Sequence, residues 1–235
     1  MYLKCLHLLK ILIDMNFSFA EENYIKTIYH LSQAGEVDVS TNAIADQLQT
    51  KPASVTDMIR KLANKEVVDY QKYQGVNISE EGKKVALEVI RKHRLWEVFL
   101  VEKLKFNWDE VHEIAEQLEH IRSSILTERL DEFLGYPKAD PHGDPIPDNQ
   151  GKFEAGPTVA LSEMSVGEMG LFVTVTNDDP HLLQYLDKTK IKLGMKLKVV
   201  DKVVFDGSMQ VSFNNETPVF LSDQITGYLM IRKVA

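Results

Sequence analysis

His93 and Glu97 stand four residues apart, and a later segment reads His112-Glu113-Ile114-Ala115-Glu116-Gln117-Leu118-Glu119-His120. On a helix, positions three and four apart are neighbours. These spacings therefore gather imidazoles and carboxylates into groups. Neutral imidazole and carboxylate are the donors that manganese, iron(II) and zinc accept, so the chemistry on offer is divalent-metal binding. Each segment also has a plainer account. His112, Glu116, Glu119 and His120 suit a solvated helix face, and His93 with Glu97 suits a hydrogen-bonded core pair.

The elements that must carry these groups follow from hydrophobic period. A helix is expected from Lys83 to Lys105, with Val85, Val89, Ile90, Trp96, Leu100 and Leu104 on its apolar stripe. His93 and Glu97 fall inside that stripe, and an unpaired charge on a buried face is costly. A second helix is expected from Trp108 to Leu134. Val111, Ile114, Leu118, Ile121 and Ile125 gather on one of its faces, and the four polar groups gather on the opposite one. A metal shared by the two helices would supply the partner that the buried pair needs.

Upstream lies a pattern suited to reading DNA. Ser18-Phe19-Ala20-Glu21 has capping-box form and opens a helix to about Gln33. Ser40 caps a short helix over Thr41 to Leu48, and Pro52 starts a third that runs to about Asn64. Two short helices joined by a tight turn form a helix-turn-helix, and the stretches flanking Gln71 to Gly75 read as a hairpin, or wing. Lys51, Ser54, Thr56, Asp57, Arg60 and Lys61 point away from the Val55, Ile59, Leu62 stripe. Hydroxyls and cations there suit phosphates and base edges, and Lys72 and Tyr73 on the wing suit the backbone. A solvated face on a protein-binding winged helix is the alternative.

Residues Tyr136 to Gly156, rich in Pro, Gly and Asp, read as a linker. Beyond it, Lys196 to Val204, Met209 to Phe213, Pro218 to Leu221 and Tyr228 to Val234 are short β-branched stretches, expected to form a small β-barrel or sandwich. The fold class is mainly α with a β C-terminal domain.

The chain of 235 residues has room for one large domain or two to three small ones, and 44% hydrophobic residues exclude a disordered chain. A single cysteine, Cys5, excludes a disulfide framework and a cysteine-based zinc ribbon, and fits a reducing, cytoplasmic setting. A net charge of −8 argues against a non-specific nucleic-acid binder but leaves room for a small basic reading head. The apolar run within Leu6 to Ile13 is too short to span a bilayer, and no small-residue cleavage site follows it. Residues 1–16 are expected to hold a leader or mis-assigned start, with the true start at Met15 and translated leader before it, and no membrane partner is expected.

Five stretches carry a resemblance. They are Glu22-Asn23-Tyr24-Ile25-Lys26-Thr27-Ile28-Tyr29, Pro52-Ala53-Ser54-Val55-Thr56, Arg91-Lys92-His93-Arg94-Leu95-Trp96-Glu97, Val111-His112 through Glu119-His120, and Pro141-His142-Gly143-Asp144-Pro145-Ile146-Pro147. In this order the chain resembles the diphtheria toxin repressor and manganese transport regulator family, in its long form. The resemblance implies a winged helix-turn-helix domain over 17–79, a helical metal-binding and dimerisation domain with linker over 80–152, and an SH3-like (FeoA-like) domain over 153–235. It implies two metal sites. One takes His93, Glu97 and His112 with side chains from the C-terminal domain; the other takes Asn23 with Glu116, Glu119 and His120. Asp178 or Asp179 is the candidate C-terminal ligand, although either also suits the cap of a helix starting at Pro180. Iron-responsive members carry methionine and cysteine at the Asn23 and Glu116 positions. This chain has no sulfur there, and hard oxygen donors favour Mn(II) over softer metals. Lys26 occupies a position where short manganese regulators have a carboxylate, which fits the two-site long form better.

The expected function is a cytoplasmic, homodimeric, Mn(II)-activated repressor of metal-uptake genes on a palindromic double-stranded operator, with no small organic substrate and no catalysis. An Fe(II)-responsive repressor and a metal-independent winged-helix regulator are the alternatives. A di-iron enzyme is a distant one, because it needs Glu-x-x-His from each of two helices and Asp109-x-x-His112 has no second copy.

Overall fold

The computed structural model describes residues 17–71, 74–153 and 156–234. The expectations for residues 1–16 and for Lys72 and Tyr73 fall outside them. The described residues separate into two compact units, one ending at Ile90 and the other starting at Arg91.

In the first unit, helix α1 (Phe19–Leu31) opens on a complete capping box. Ser18 Oγ accepts from Glu21 N at 3.3 Å, and Glu21 Oε2 accepts from Ser18 N at 2.7 Å. Ser40 caps α2 (Thr41–Gln47), and Pro52 is the first residue of α3 (Pro52–Asn64). Strands β1 (Val68–Gln71) and β2 (Gly75–Ile78) pair antiparallel in register Val68↔Ile78, and Val39 bridges to Val76 beside them. Ile25, Ile28, Ile44, Val55, Ile59 and Leu62 fill one core. The predicted stripe of α3 is therefore its buried face, and truncating any of its large side chains to Ala would cost roughly 2–5 kcal/mol. Among the described residues, no helix is long and apolar enough to cross a membrane.

Helix α4 (Glu80–Glu102) contains the boundary between the units. It starts earlier than the periodicity predicts, because Ser79 Oγ accepts from Gly82 N at 3.1 Å and caps it. In the second unit, the single helix expected over Trp108 to Leu134 is two: α5 (His112–Leu118) and α6 (Ser124–Phe133). Ser123 makes the break, its side chain accepting from Leu126 N to start a new helix. The break also overturns the expected faces. Glu119 and His120 are buried, whereas Ile125, expected on the apolar side, is 65% exposed.

The expected linker is a strap. Arg91 donates to the carbonyl oxygen of Pro147 and Arg94 to that of Pro145, while Ile146 packs with Leu95, Val98 and Leu130. Gly143 is required where the strap meets the β-domain. Its φ is +90°, and a Cβ there would stand 1.9 Å from the Val173 carbonyl oxygen.

The β-domain is a six-stranded antiparallel sheet in the order β3-β8-β4-β5-β6-β7, formed by β3 (Val159–Ala160), β4 (Met169–Val175), β5 (Lys196–Lys202), β6 (Met209–Phe213), β7 (Val219–Leu221) and β8 (Leu229–Lys233). Register shifts between Phe172 and Thr174 and between Val199 and Asp201 are bulges that let a small sheet bend around its core. Helix α7 (Pro180–Lys188) and the unforeseen α8 (Asp223–Tyr228) accompany it. Strand β4 was also unforeseen. Its pattern is broken by Gly170, which lies so close to Ile231 of β8 that a Cβ would meet that side chain at 2.2 Å.

Candidate metal centre

The spacing of α4 puts His93 one turn before Glu97, both in the buried stripe. His93 Nε2 faces Glu97 Oε1 at 3.1 Å, and His112 Nδ1 at the start of α5 lies 3.7 Å from the same oxygen. The β-domain reaches in as well, with Asp178 Oδ2 3.2 Å from His112 Nδ1. The other oxygen of Glu97, Oε2, lies 3.7 Å from Nδ1 of His142, on the strap. Two donor sets with ligand-like spacing result: His93, Glu97 and His112, and Glu97, Asp140 and His142.

Outer partners orient both buried imidazoles. His93 Nδ1 lies 2.6 Å from Glu119 Oε2, a hydrogen bond that turns Nε2 inward toward Glu97. His142 Nε2 lies 2.9 Å from the Trp108 carbonyl oxygen, which accepts its proton and leaves Nδ1 facing Glu97. The Trp108 ring stacks on that imidazole at 5.9 Å and 15°. A carboxylate or carbonyl holding the outer nitrogen is the usual support of a metal-ligating histidine.

Close carboxylates dominate the electrostatics of the cluster. Burial pushes the Glu97 carboxyl up, but hydrogen bonds from His112, His142 and His93 outweigh it and hold it well below the usual carboxylate range. Glu116 and then Glu97 raise His112 to about 10 against the opposing effect of burial. Burial pulls His142 down, yet Glu97 and Asp140 raise it to about 9. Burial, with Glu97 and Asp144, pushes Asp140 up to about 7, and Arg94 opposes them. At neutral pH the metal-free cluster therefore holds protons on His112 and His142. A divalent cation bound by these imidazoles must displace them.

Glu116 Oε1 lies 3.6 Å from His112 Nε2, and His120 Nε2 lies 3.8 Å from Glu119 Oε1. Glu119 thus links the two expected ligand sets. Asp178 and Asp179 part company: Asp179 accepts from His181 N at 2.8 Å as the cap of α7, while Asp178 stands on His112. In the first unit, Asn23 Oδ1 is buried with no hydrogen-bond partner. An orphaned acceptor oxygen of this kind fits a cation. Sequence reasoning missed Asp140 and His142, because a Pro- and Gly-rich segment was read as a linker. The signal available was a histidine and three aspartates within it.

On α3, Lys51, Ser54, Asp57, Arg60 and Lys61 are exposed. Four of the candidate contacts have partners within the unit. Thr56 Oγ1 donates to the Pro52 carbonyl oxygen at 3.0 Å, Arg60 lies 3.5 Å from Asp57, and Lys61 lies 3.3 Å from Glu21. Burial pushes Glu21 up, but Lys65, the Ser18 backbone and side chain, and Lys61 bring it down to about 2.

Comparison with known proteins gives three domain matches. Residues 16–76 match the iron-dependent repressor N-terminal DNA-binding domain, 79–148 its metal-binding and dimerisation domain, and 159–233 the FeoA domain. The chain is 36% identical over 120 residues to the HTH-type transcriptional regulator MntR of Oceanobacillus iheyensis, covering 51% of this chain and 80% of that one. It is 32% identical over 126 residues to the iron-dependent repressor IdeR of Mycobacterium tuberculosis (strain ATCC 25618 / H37Rv), covering 54% of each, so the match spans about half of the mycobacterial protein. A solved manganese-dependent transcriptional repressor in complex with manganese superposes with a TM-score of 0.83 at 32% identity, covering 91% of this chain and all of that one. These relatives are transcriptional regulators, not enzymes.

Proposed function

Because this chain belongs to the iron-dependent repressor family, which includes both iron- and manganese-dependent regulators, we propose that it is a cytoplasmic, homodimeric repressor of metal-uptake genes activated by Mn(II). The observation that carries the metal reading is the buried Glu97 carboxylate. It faces the three imidazoles of His93, His112 and His142, with Asp178 beyond His112. His93, Glu97, His112 and Asp178 would hold one ion, with Glu119 orienting His93. Asn23, Glu116 and His120 are further oxygen and nitrogen donors. The preference for Mn(II) rests on their hardness: the sole cysteine is Cys5, and the donors named are imidazole, carboxylate and amide oxygen. When bound, the ion supplies positive charge that fixes these side chains together, favouring the arrangement that binds DNA.

In the DNA reading, α3 enters the major groove, with Lys51, Ser54 and Arg60 toward the duplex, and a dimer presents two such helices to a palindromic operator. The test is binding to a duplex from upstream of a metal-transporter gene, measured with Mn(II), Fe(II), Zn(II) and chelator. Tight binding with Mn(II), reversed by chelator, is expected. Binding indifferent to metal would favour a metal-independent regulator, and stronger activation by Fe(II) than by Mn(II) would overturn the choice of metal.

A further inference from the structure

Glu97 is the single residue shared by the two donor sets. The sets meet it on different atoms: Oε1 faces His93 and His112, whereas Oε2 faces His142. His93 and His142 approach from separate elements, α4 and the strap, and each has its outer nitrogen already held, by Glu119 and by the Trp108 carbonyl. Each inner nitrogen therefore has one direction in which to offer its lone pair, and the two directions end on opposite oxygens of one carboxylate. Asp140, fixed by accepting from the backbone N–H groups of His142 and Asp144 and paired with Arg94 at 3.5 Å, offers a carboxyl oxygen to the second set alone. Among the described residues, no set with ligand-like spacing combines His93 with His142.

We infer that Glu97 is a bridging carboxylate that carries two divalent cations, one per oxygen, the first completed by His93 and His112 and the second by Asp140 and His142. This rests on the metal reading of the preceding subsection and adds to it the number of ions and their connection. A carboxylate bridge between two Mn(II) ions couples them magnetically. The strap then becomes part of the metal-responsive structure, because the second ion ties it to α4.

The test uses the full chain loaded with MnCl2, with bound metal counted after desalting and low-temperature electron paramagnetic resonance recorded. The expected spectrum contains an exchange-coupled Mn(II) pair. His142→Ala should lose one equivalent of Mn(II) and convert the pair to an isolated-ion spectrum. Asp140→Asn, which keeps an acceptor oxygen for the two backbone N–H groups, should weaken the second ion at least tenfold without disturbing the fold, as judged by circular dichroism. An uncoupled wild-type spectrum, with no equivalent lost in either variant, would overturn the bridge while leaving a single ion at His93, Glu97 and His112. A coupled spectrum that survives His142→Ala would place the coupling elsewhere and overturn it too. If His112→Ala and His142→Ala both bind as much Mn(II) as wild type, the metal reading of the cluster fails with it.

Discussion

Asp178 Oδ2 stands 3.2 Å from Nδ1 of His112, so a carboxylate of the β-domain touches the first imidazole of α5. Its neighbour Asp179 instead accepts from the N–H of His181. Adjacent, identical side chains thus have different duties. Asp178→Asn should weaken Mn(II) binding while leaving stability nearly unchanged. Asp179→Ala should leave Mn(II) affinity intact and cost about 1 kcal/mol of stability through the lost helix cap. Calorimetric titration and urea denaturation of both variants check this; the opposite pattern would exchange the two roles.

Glu119 is expected to act on the metal through His93. Glu119→Gln retains an amide oxygen to accept from Nδ1 but lowers the basicity of the imidazole, and should reduce Mn(II) affinity roughly 10–100-fold. The signature is a change in affinity with unchanged ion stoichiometry. Loss of a whole equivalent would make Glu119 a direct ligand.

Metal binding should strengthen as pH rises from neutrality. His112 and His142 are raised to about 10 and about 9 in the metal-free cluster, so both are protonated at pH 7 and must give up their protons to bind an ion. Titrations at pH 7 in buffers of different ionisation enthalpy should report the release of about two protons. The same shifts fix the sign for the metal-free protein. Each folded-state pKa lies above the ordinary 6.5, so the stability these groups contribute is complete below that value and is lost as pH climbs through about 9 and 10. Metal affinity that is flat with pH would contradict the assignment.

On the recognition helix, Arg60→Ala should lower the salt dependence of operator binding by about one unit of slope, as expected for one lost phosphate contact. Lys61→Ala should lower it less, because Lys61 also pairs with the buried carboxylate of Glu21. Asp57→Asn should tighten binding to non-operator DNA by removing a negative charge from the exposed face. Fluorescence anisotropy across a salt series separates the three; equal slopes for Arg60→Ala and wild type would remove Arg60 from the interface.

What the sequence determined by itself was written in local period and local capping. The capping box at Ser18, the proline that opens α3 and the buried stripe of Val55, Ile59 and Leu62 follow from neighbours a few positions apart, where backbone geometry leaves little choice. The pairing of His93 with Glu97 was legible for the same reason, since four residues on a helix is one turn. The helix break at Ser123 was not. Apolar period ran on through it and masked the Ser123 cap, and the contact of Glu119 with His93, 26 residues earlier in the chain, exists only in three dimensions. Asp140 and His142 were invisible as donors because nothing local marks a proline-rich segment as buried. The Arg91 and Arg94 clamps and the close approach at Gly143 put them there. Whether Asp178 or Asp179 reached the centre was likewise decided only in three dimensions. Two adjacent carboxylates are chemically equivalent in sequence, and the direction in which α7 starts gives one to the helix and the other to His112.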